Sequence, residues 1–482
     1  MNDLALARRP ADVFARVARS LERLMATSPN WEYIDEKRKE QSFRYGDRTY
    51  DEALMRVSTD RYYSPEFQES ERENIWMKVW QYAGRADELP KPGDWKEHKI
   101  FDQSYIIIRG KDGVLRGFVN ACTHRGNKLC VGGKGNSPVL HCPFHNWSFE
   151  LTGKLRGIAR QDLVGEVDKD GLGLLPVSVD TWAGFIFINP DPDARPLAEY
   201  IGQDVMECLA PYHVDEMVPV GMNVREELEC NWKIVVDAFQ EGYHIQGVHP
   251  QMADVIQLDA KKSEFNYFGD HHLSVSPFEA ADVRGLSPEQ SVAALKDKLP
   301  ATYHGAAEIM PLFEEMVDSV RNEAGEIVFP EGVTVHTLLE RATREQFTRK
   351  GLDVSGLSDE QMTYHYGWLL FPNFFFSVRV GEGTMIVSTP HPSGDPNKCV
   401  WEVVRLAWVP ETMREQARTP LLEVDPPGRY EYFLVLQQDY EAMPRTQLGV
   451  RNTRLKYATV GSEEGLVVKF HREIDKYVRG AA

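Results

Sequence analysis

Cys122-Thr-His124, then seventeen residues, then Cys142-Pro-Phe-His145: the fold is read outward from these two short loops, each with one thiolate and one imidazole. Structural zinc sites usually pair like with like, Cys-x2-Cys against His-x3-5-His. One cysteine and one histidine on each loop suit a sulfide-bridged pair of irons. Cys122 and Cys142 would hold one iron, and His124 and His145 the other. A zinc ribbon is the alternative these residues leave open. Gly126, Gly132, Gly133 and Gly135 let backbone approach a cluster, where N–H groups can bond sulfide and thiolate. Phe144 and Trp147 would keep one side dry. The run Leu151-Thr-Gly-Lys-Leu155 predicts a hairpin with Gly153 at a positive φ. Cys130 lies outside the pattern and reads as a packed thiol.

A two-iron cluster of this kind carries one electron and does no bond chemistry, so its partner is sought further along. The run Asn231-Trp-Lys-Ile-Val-Val-Asp237-Ala-Phe-Gln-Glu241-Gly-Tyr-His244-Ile-Gln-Gly-Val-His249-Pro250 has apolar residues at helical spacing. Intervals of four and three predict Asp237, Glu241 and His244 on one helix face. Pro250 predicts a helix end near His249. Two neutral imidazoles and one remote carboxylate form the facial triad of a non-haem Fe(II) site, with positions left open for dioxygen. Asp439 is the candidate carboxylate and Glu441 its rival. A pair of structural histidines is the plainer reading of the same residues.

Both constellations together resemble the catalytic (alpha) subunit of Rieske non-haem iron ring-hydroxylating oxygenases, over about Tyr62 to Leu455. The resemblance implies a [2Fe–2S] Rieske cluster on Cys122, His124, Cys142 and His145, and a mononuclear Fe(II) on His244, His249 and Asp439. It assigns Glu241 the carboxylate that links the iron histidine to a Rieske histidine of a neighbouring subunit, where many members have aspartate. Asp237 takes a supporting position in the same site, one often filled by asparagine. The family pattern most often has glycine after the second cluster histidine; this chain has Asn146. Phe371-Pro-Asn373 resembles a strand of the catalytic domain. The family resemblance further implies a head-to-tail homotrimer (alpha3) or alpha3beta3 assembly.

The expected fold class is α+β. A small antiparallel β Rieske domain precedes a larger mixed catalytic domain, whose antiparallel sheet is flanked by helices. The expected boundaries are an N-terminal helical arm over 1–60, the Rieske domain over 61–190 and the catalytic domain over 191–482. A helix is predicted from Ser64 through Trp76 and Val79, and strands over 105–109, 117–120 and 184–189. Further strands are predicted over 369–380, 385–389 and 400–409, with helices around 288–299 and 336–349. The stretch 258–360 is weak in strand signal. The histidines in or near it, His271, His272, His304, His336 and His365, read as ordinary polar residues. Phe374-Phe-Phe376 could line an apolar pocket or fill a strand core, and Arg379 could meet an anionic group, with a surface or paired arginine the plainer reading.

Composition narrows the function. Of 482 residues 42% are hydrophobic, ordinary for a soluble protein, and no apolar run is long enough to span a membrane. The 55 basic and 73 acidic residues leave a formal charge of −18, which disfavours nucleic acid and anionic membrane surfaces. Of six cysteines two are assigned to iron and the other four are scattered, which is no disulfide framework and fits a reducing cytoplasm. The arginine-bearing amphipathic stretch 3–25 contains Asp3, Asp12 and Glu22, which argues for a docking helix over a transit peptide. No flavin or nicotinamide motif is present, so electrons would come from a separate NAD(P)H-dependent reductase, through a ferredoxin or directly. The leading expectation is a terminal oxygenase that uses O2 to cis-dihydroxylate an aromatic or other apolar small organic substrate. Monooxygenation or oxidative demethylation is the alternative. A Rieske electron carrier without oxygen chemistry is the competing class.

Overall fold

Strand Gln103–Arg109 shows how alternation builds the smaller domain. Tyr105 and Ile107 point into a core shared with the larger domain, while Ile106 and Ile108 point into a second core beneath the two ligand loops. Its sheet runs in the order Gln81–Arg85, Phe185–Asn189, Pro176–Trp182, Leu115–Val119, Gln103–Arg109, Asp94–Ile100, Lys134–Asn136, antiparallel throughout. Three short strands, Leu140–His141, Ser148–Phe149 and Leu155–Gly157, flank the second ligand loop. The hairpin forms where predicted. Gly153 has φ +86°, and a Cβ there would stand 2.4 Å from the Phe118 ring, so both turn and packing require glycine.

The computed structural model describes residues 43–44, 56–252, 264–276, 286–302 and 305–479. The amphipathic stretch 3–25 lies outside them. Of the expected arm, Arg56–Ser58 pairs with Tyr457–Thr459, and Phe43–Arg44 pairs with Phe265 and Glu264.

The larger domain is built on β1 (Met217–Leu228), β2 (Glu264–Phe268), β3 (His271–Ser276), β4 (His365–Leu370), β5 (Phe374–Arg379), β6 (Glu382–Pro390) and β7 (Cys399–Trp408). They lie in the order β2-β3-β4-β5-β6-β7-β1 and are all antiparallel. Phe374 and Phe376 turn toward the smaller domain, with rings 5.0 and 6.0 Å from Phe185. Phe375 turns the other way, 5.8 Å from Phe239. Strand core is therefore the answer for Phe374 and Phe376.

Four expectations are corrected. The single strand over 369–380 is two strands, because Phe371-Pro-Asn373 forms a turn. Pro372 has no N–H to give a ladder, and the turn's polar groups are met by side chains: Tyr200 Oη donates to the Phe371 carbonyl and Asn373 Nδ2 to the Ser388 carbonyl. The stretch 258–360 does contain strands, β2 and β3. Asn266, His271 and His272 are buried in them, and polar residues at core positions hide the alternation. That stretch also holds an unforeseen helix, Ala306–Asp318, beside the two predicted ones, Pro288–Thr302 and Val335–Lys350.

The fourth correction concerns the helix after Ser64. Ser64 Oγ caps α1 (Pro65–Glu71) by accepting from the Phe67 N–H, and one wide π turn ends at Trp76, short of Val79. The segment packs between the two domains: Trp76 lies 6.5 Å from Phe101 and Arg72 pairs with Asp102 on the smaller one, while its buried side faces the larger. Trp76 meets Trp232 at 5.0 Å, and Glu71 forms a fully buried ion pair with Lys233 at 2.8 Å. Burial raises the Glu71 carboxyl and lowers the Lys233 ammonium, so each charge is tolerated only because of the other. Lys233→Met should cost about 3–5 kcal/mol in urea unfolding, and adding Glu71→Leu should recover most of it.

Candidate metal centres

The two cluster loops are one turn used twice. Cys122 N–H bonds the Asn127 carbonyl, and Gly126 N–H returns to the Cys122 carbonyl. Cys142 N–H bonds the Trp147 carbonyl, and Asn146 N–H returns to the Cys142 carbonyl. The returning residue is left-handed in both, with φ +72° at Gly126 and +55° at Asn146. Asparagine is among the few side chains that tolerate this region, so Asn146 preserves the turn that glycine usually makes.

These turns bury both thiols and bring His124 Nδ1 to within 3.2 Å of His145 Nδ1. Trp147 stacks on the His124 ring at 4.7 Å, as a drying residue should. Phe144, expected to do the same, is 57% exposed and leaves its side of His145 at the surface. Burial raises the Cys122 thiol, opposed by the backbone N–H of His124 and seconded by the Cys142 thiol. Among the described residues, one group of three or more donors closes to within 4.8 Å, and it does not include these four. Two separate pairs of donors suit two irons better than one zinc. Cys130 is buried among apolar residues and its thiol is pushed up to about 12, as a packed thiol should be.

The group that does close is His244, His249 and Asp439. Asn231 Oδ1 caps α2 (Trp232–Phe239) by accepting from Lys233 N–H. The helix stops before Glu241, so Asp237, Glu241 and His244 do not share one helix face. Gly242 weakens helix continuation, and the Glu241 carboxylate captures the His244 N–H at 3.0 Å. Its other oxygen holds His244 Nδ1 at 2.6 Å. A single helical turn, Ile245–Val248, then delivers His249 before Pro250.

Asp439 comes from α3 (Leu434–Val450), which lies against α2. It is buried, with Oδ1 2.9 Å from His249 Nε2 and 3.7 Å from His244 Nε2. Glu441, two residues on, faces away to Gln437 and Arg445. Gln438 Oε1 accepts from His249 Nδ1 at 2.9 Å and is itself held by Gln251 at 2.7 Å. Both imidazoles are thus fixed with Nδ1 donating and the Nε2 lone pair turned to Asp439. His249 Nε2 is buried and makes no hydrogen bond, although a carboxylate stands beside it. Burial opposes a charged His244, yet the Glu241 and Asp439 carboxylates raise its pKa. The site attracts positive charge, and its donor set fits a divalent iron. Gln438 and Gln251 escaped sequence reasoning because 187 residues separate them.

Asp237 is placed differently from expectation. Tyr62 Oη donates to it at 2.7 Å, and His471 Nε2, on α4 (Gly465–Arg479), stands 3.1 Å away. Arg61 Nη1 lies 3.0 Å from His471 Nδ1. A guanidinium only donates, so Nδ1 accepts and the proton sits on Nε2, toward Asp237. Asp237 therefore ties α2 to α4 and to the turn Thr59–Tyr62.

Comparison with known proteins agrees with this geometry. Residues 79–168 match the Rieske [2Fe-2S] domain, and residues 214–480 match the catalytic domain of the ring hydroxylating alpha subunit. The carnitine monooxygenase oxygenase subunit of Acinetobacter pittii is 35% identical over 198 residues, 41% of this chain and 53% of that protein. The match thus spans about half the length of that curated relative. A solved quaternary ammonium Rieske monooxygenase, described for carnitine oxidation and inter-subunit electron transfer, superposes with TM-score 0.60 at 20% identity, covering 88% of this chain and 95% of that one. Naphthalene 1,2-dioxygenase with indole bound superposes with TM-score 0.60 at 18% identity, covering 91% and 96%. These two likenesses establish the fold.

Gln438→Leu should weaken iron retention at the three-residue site about 10–100-fold in a chelator challenge while the cluster's visible absorbance stays unchanged. Asp237→Ala should leave the Tyr62 hydroxyl buried without its carboxylate acceptor, while the Tyr62–His471 contact at 2.9 Å remains. It should lower stability by about 1–3 kcal/mol, more than it lowers iron content, when unfolding and iron analysis use one sample.

Proposed function

This chain belongs to the ring hydroxylating alpha-subunit family, with a Rieske [2Fe-2S] domain ahead of the catalytic domain, and from that premise we propose that it is the terminal oxygenase of a multicomponent system. The observation that carries the reading is the convergence of two oriented imidazoles on a buried carboxylate, with His249 Nε2 left without a hydrogen bond. In this reading Cys122, Cys142, His124 and His145 hold the cluster, and His244, His249 and Asp439 hold Fe(II). When bound, the cluster supplies single electrons and Fe(II) supplies the place where dioxygen is activated beside the substrate.

The protein's own residues do the rest. Glu241 and Gln438 orient the imidazoles. Each Glu241 oxygen accepts one hydrogen bond from His244 and keeps a lone pair, so the carboxylate can also accept from a histidine of another chain. His145 and His124 are half-buried, and Phe144 beside them is exposed. Tyr243, next to the iron histidine, is exposed as well. Both ends of an electron path therefore reach the surface of one chain. We read this as a ring of copies, in which the cluster of one serves the iron of the next through Glu241. The electron donor would be a separate reductase. No described helix is long and apolar enough to cross a membrane.

Two reactions share such a site. Cis-dihydroxylation is one; the carnitine monooxygenase relative speaks for the other, monooxygenation. Turnover under 18O2 separates them: two labelled oxygens in the product mark the first, one the second. Three irons per chain are expected; two would reduce the protein to an electron carrier. Glu241→Gln keeps an acceptor for His244 Nδ1 but removes the charge. It should retain all three irons and lower donor-coupled product formation at least about 100-fold. Undiminished coupling would end the bridging role.

A further inference from the structure

β3 carries two adjacent histidines with opposite surroundings. His271 is fully satisfied: Nε2 donates to the Tyr200 carbonyl at 2.7 Å and Nδ1 accepts from Phe371 N–H at 3.0 Å. His272 is 1% exposed, and neither ring nitrogen has a hydrogen-bond partner. Burial pushes its imidazole down to about 3, helped by Lys469 and His271, so it is neutral, with one donor and one acceptor unused. A structural histidine would be bonded as His271 is. Buried polar atoms left unmade are costly and call for a reason.

Register places His272. It lies opposite Leu369, Leu369 opposite Phe375, and Phe375 opposite Ile386. Directly opposed residues share a face, and Phe375 packs on Phe239 of α2, so this row faces the helix that leads to His244. Two residues along the strands, roughly 7 Å away, the next row on that face is Ser274, Gly367, Ser377, Thr384 and Arg405. Ser274, Ser377, Thr384 and Arg405 are partly exposed, although the sheet's other face is buried there. The floor beneath the iron helix is thus apolar in one row and polar in the next, and the first row continues past His272 to Tyr267 on β2.

We propose that His272, with the Thr384 hydroxyl and beside Ser274 and Ser377, whose hydroxyls already meet the Gly367 carbonyl and His365 Nε2, binds a polar substituent of the substrate. The substrate class is then amphiphilic: a hydrocarbon part over Leu369, Phe375 and Ile386, and a hydroxyl, carbonyl or carboxylate group against the imidazole and the Thr384 hydroxyl. This rests on the terminal-oxygenase reading and narrows it away from bare hydrocarbons.

The test compares wild type with His272→Leu, both loaded with iron, against matched probes: p-cresol and toluene, 4-methylbenzoate and p-xylene. Calorimetric affinity and kcat/KM with a surrogate reductase are both read. The wild type should prefer the polar member of a pair, and His272→Leu should lose that preference by about 10–100-fold. Without substrate, His272→Leu should melt at or above the wild-type temperature, since no hydrogen bond is lost. Equal affinities within each pair, a preference untouched by the substitution, or a marked drop in substrate-free melting temperature overturns the proposal. Binding without any oxidation by the iron-loaded wild type would instead overturn the oxygenase reading, while the affinities still decide the role of His272.

Discussion

The site depends on how α3 is clamped to α2. Gln447 Oε1 accepts from Asn231 N–H at 2.8 Å, at the very start of α2, and Gln447 Nε2 reaches the Tyr62 carbonyl at 3.2 Å. At the other end, Gln438 holds the His249 imidazole. Between these two carboxamides Asp439 is buried against two histidines. An isolated carboxylate could not be left there, because desolvating its charge is costly without a cation nearby. The clamp thus imposes a demand for positive charge at one point, and the imidazoles are turned to share in meeting it. Carboxamides suit this task because each offers a donor and an acceptor in fixed geometry, so one side chain both positions a helix and selects a tautomer.

The cluster loops obey a more local logic. Each is a self-contained turn closed by two backbone hydrogen bonds, and each needs one residue in the left-handed region. The requirement falls on φ and not on glycine as such, which is why Asn146 can stand where glycine is usual. The core beneath them, around Ile106, Ile108, Phe118 and Phe149, is separate from the large core, so the loops sit on a rigid base of their own. Their histidines remain partly exposed while their cysteines are buried. The exposed edge of these loops is therefore their imidazole side.

The large sheet divides labour between its faces. One face is sealed by aromatic contact with the smaller domain, through Phe374, Phe376, Phe185 and Tyr82. The other meets α2 through Phe375 and opens, one row further, onto hydroxyls and Arg405. Strand alternation allows this because successive residues serve opposite faces. The run Phe374-Phe-Phe376 looks uniform in one dimension, yet its middle ring belongs to a different environment from its neighbours.

How far the chain could be read without its fold follows from range. The pairing of Cys122 with His124, of Cys142 with His145 and of His244 with His249 as neighbouring donors was legible because each pair lies within a short stretch, where spacing and turn chemistry act through a few bonds. The apolar alternation of the smaller domain and the Ser64 cap were legible for the same reason. The extent of α2 was misjudged, since the Glu241 side chain competes with the helix for the His244 N–H, a choice spacing does not reveal. Asp237 was drawn toward the iron by periodicity, but tertiary packing gave it to Tyr62 and His471 from opposite ends of the chain. Sequence by itself determined which residues offer metal-binding atoms and in what local geometry. Only the tertiary structure decided that Asp439 and not Glu441 faces the histidines, and that Gln438 and Gln251 orient His249. It also decided that His272 is buried unpaired on the side of the sheet facing the iron helix. Those outcomes arise from contacts between segments tens to hundreds of residues apart, whose energies depend on packing and burial that no local pattern encodes.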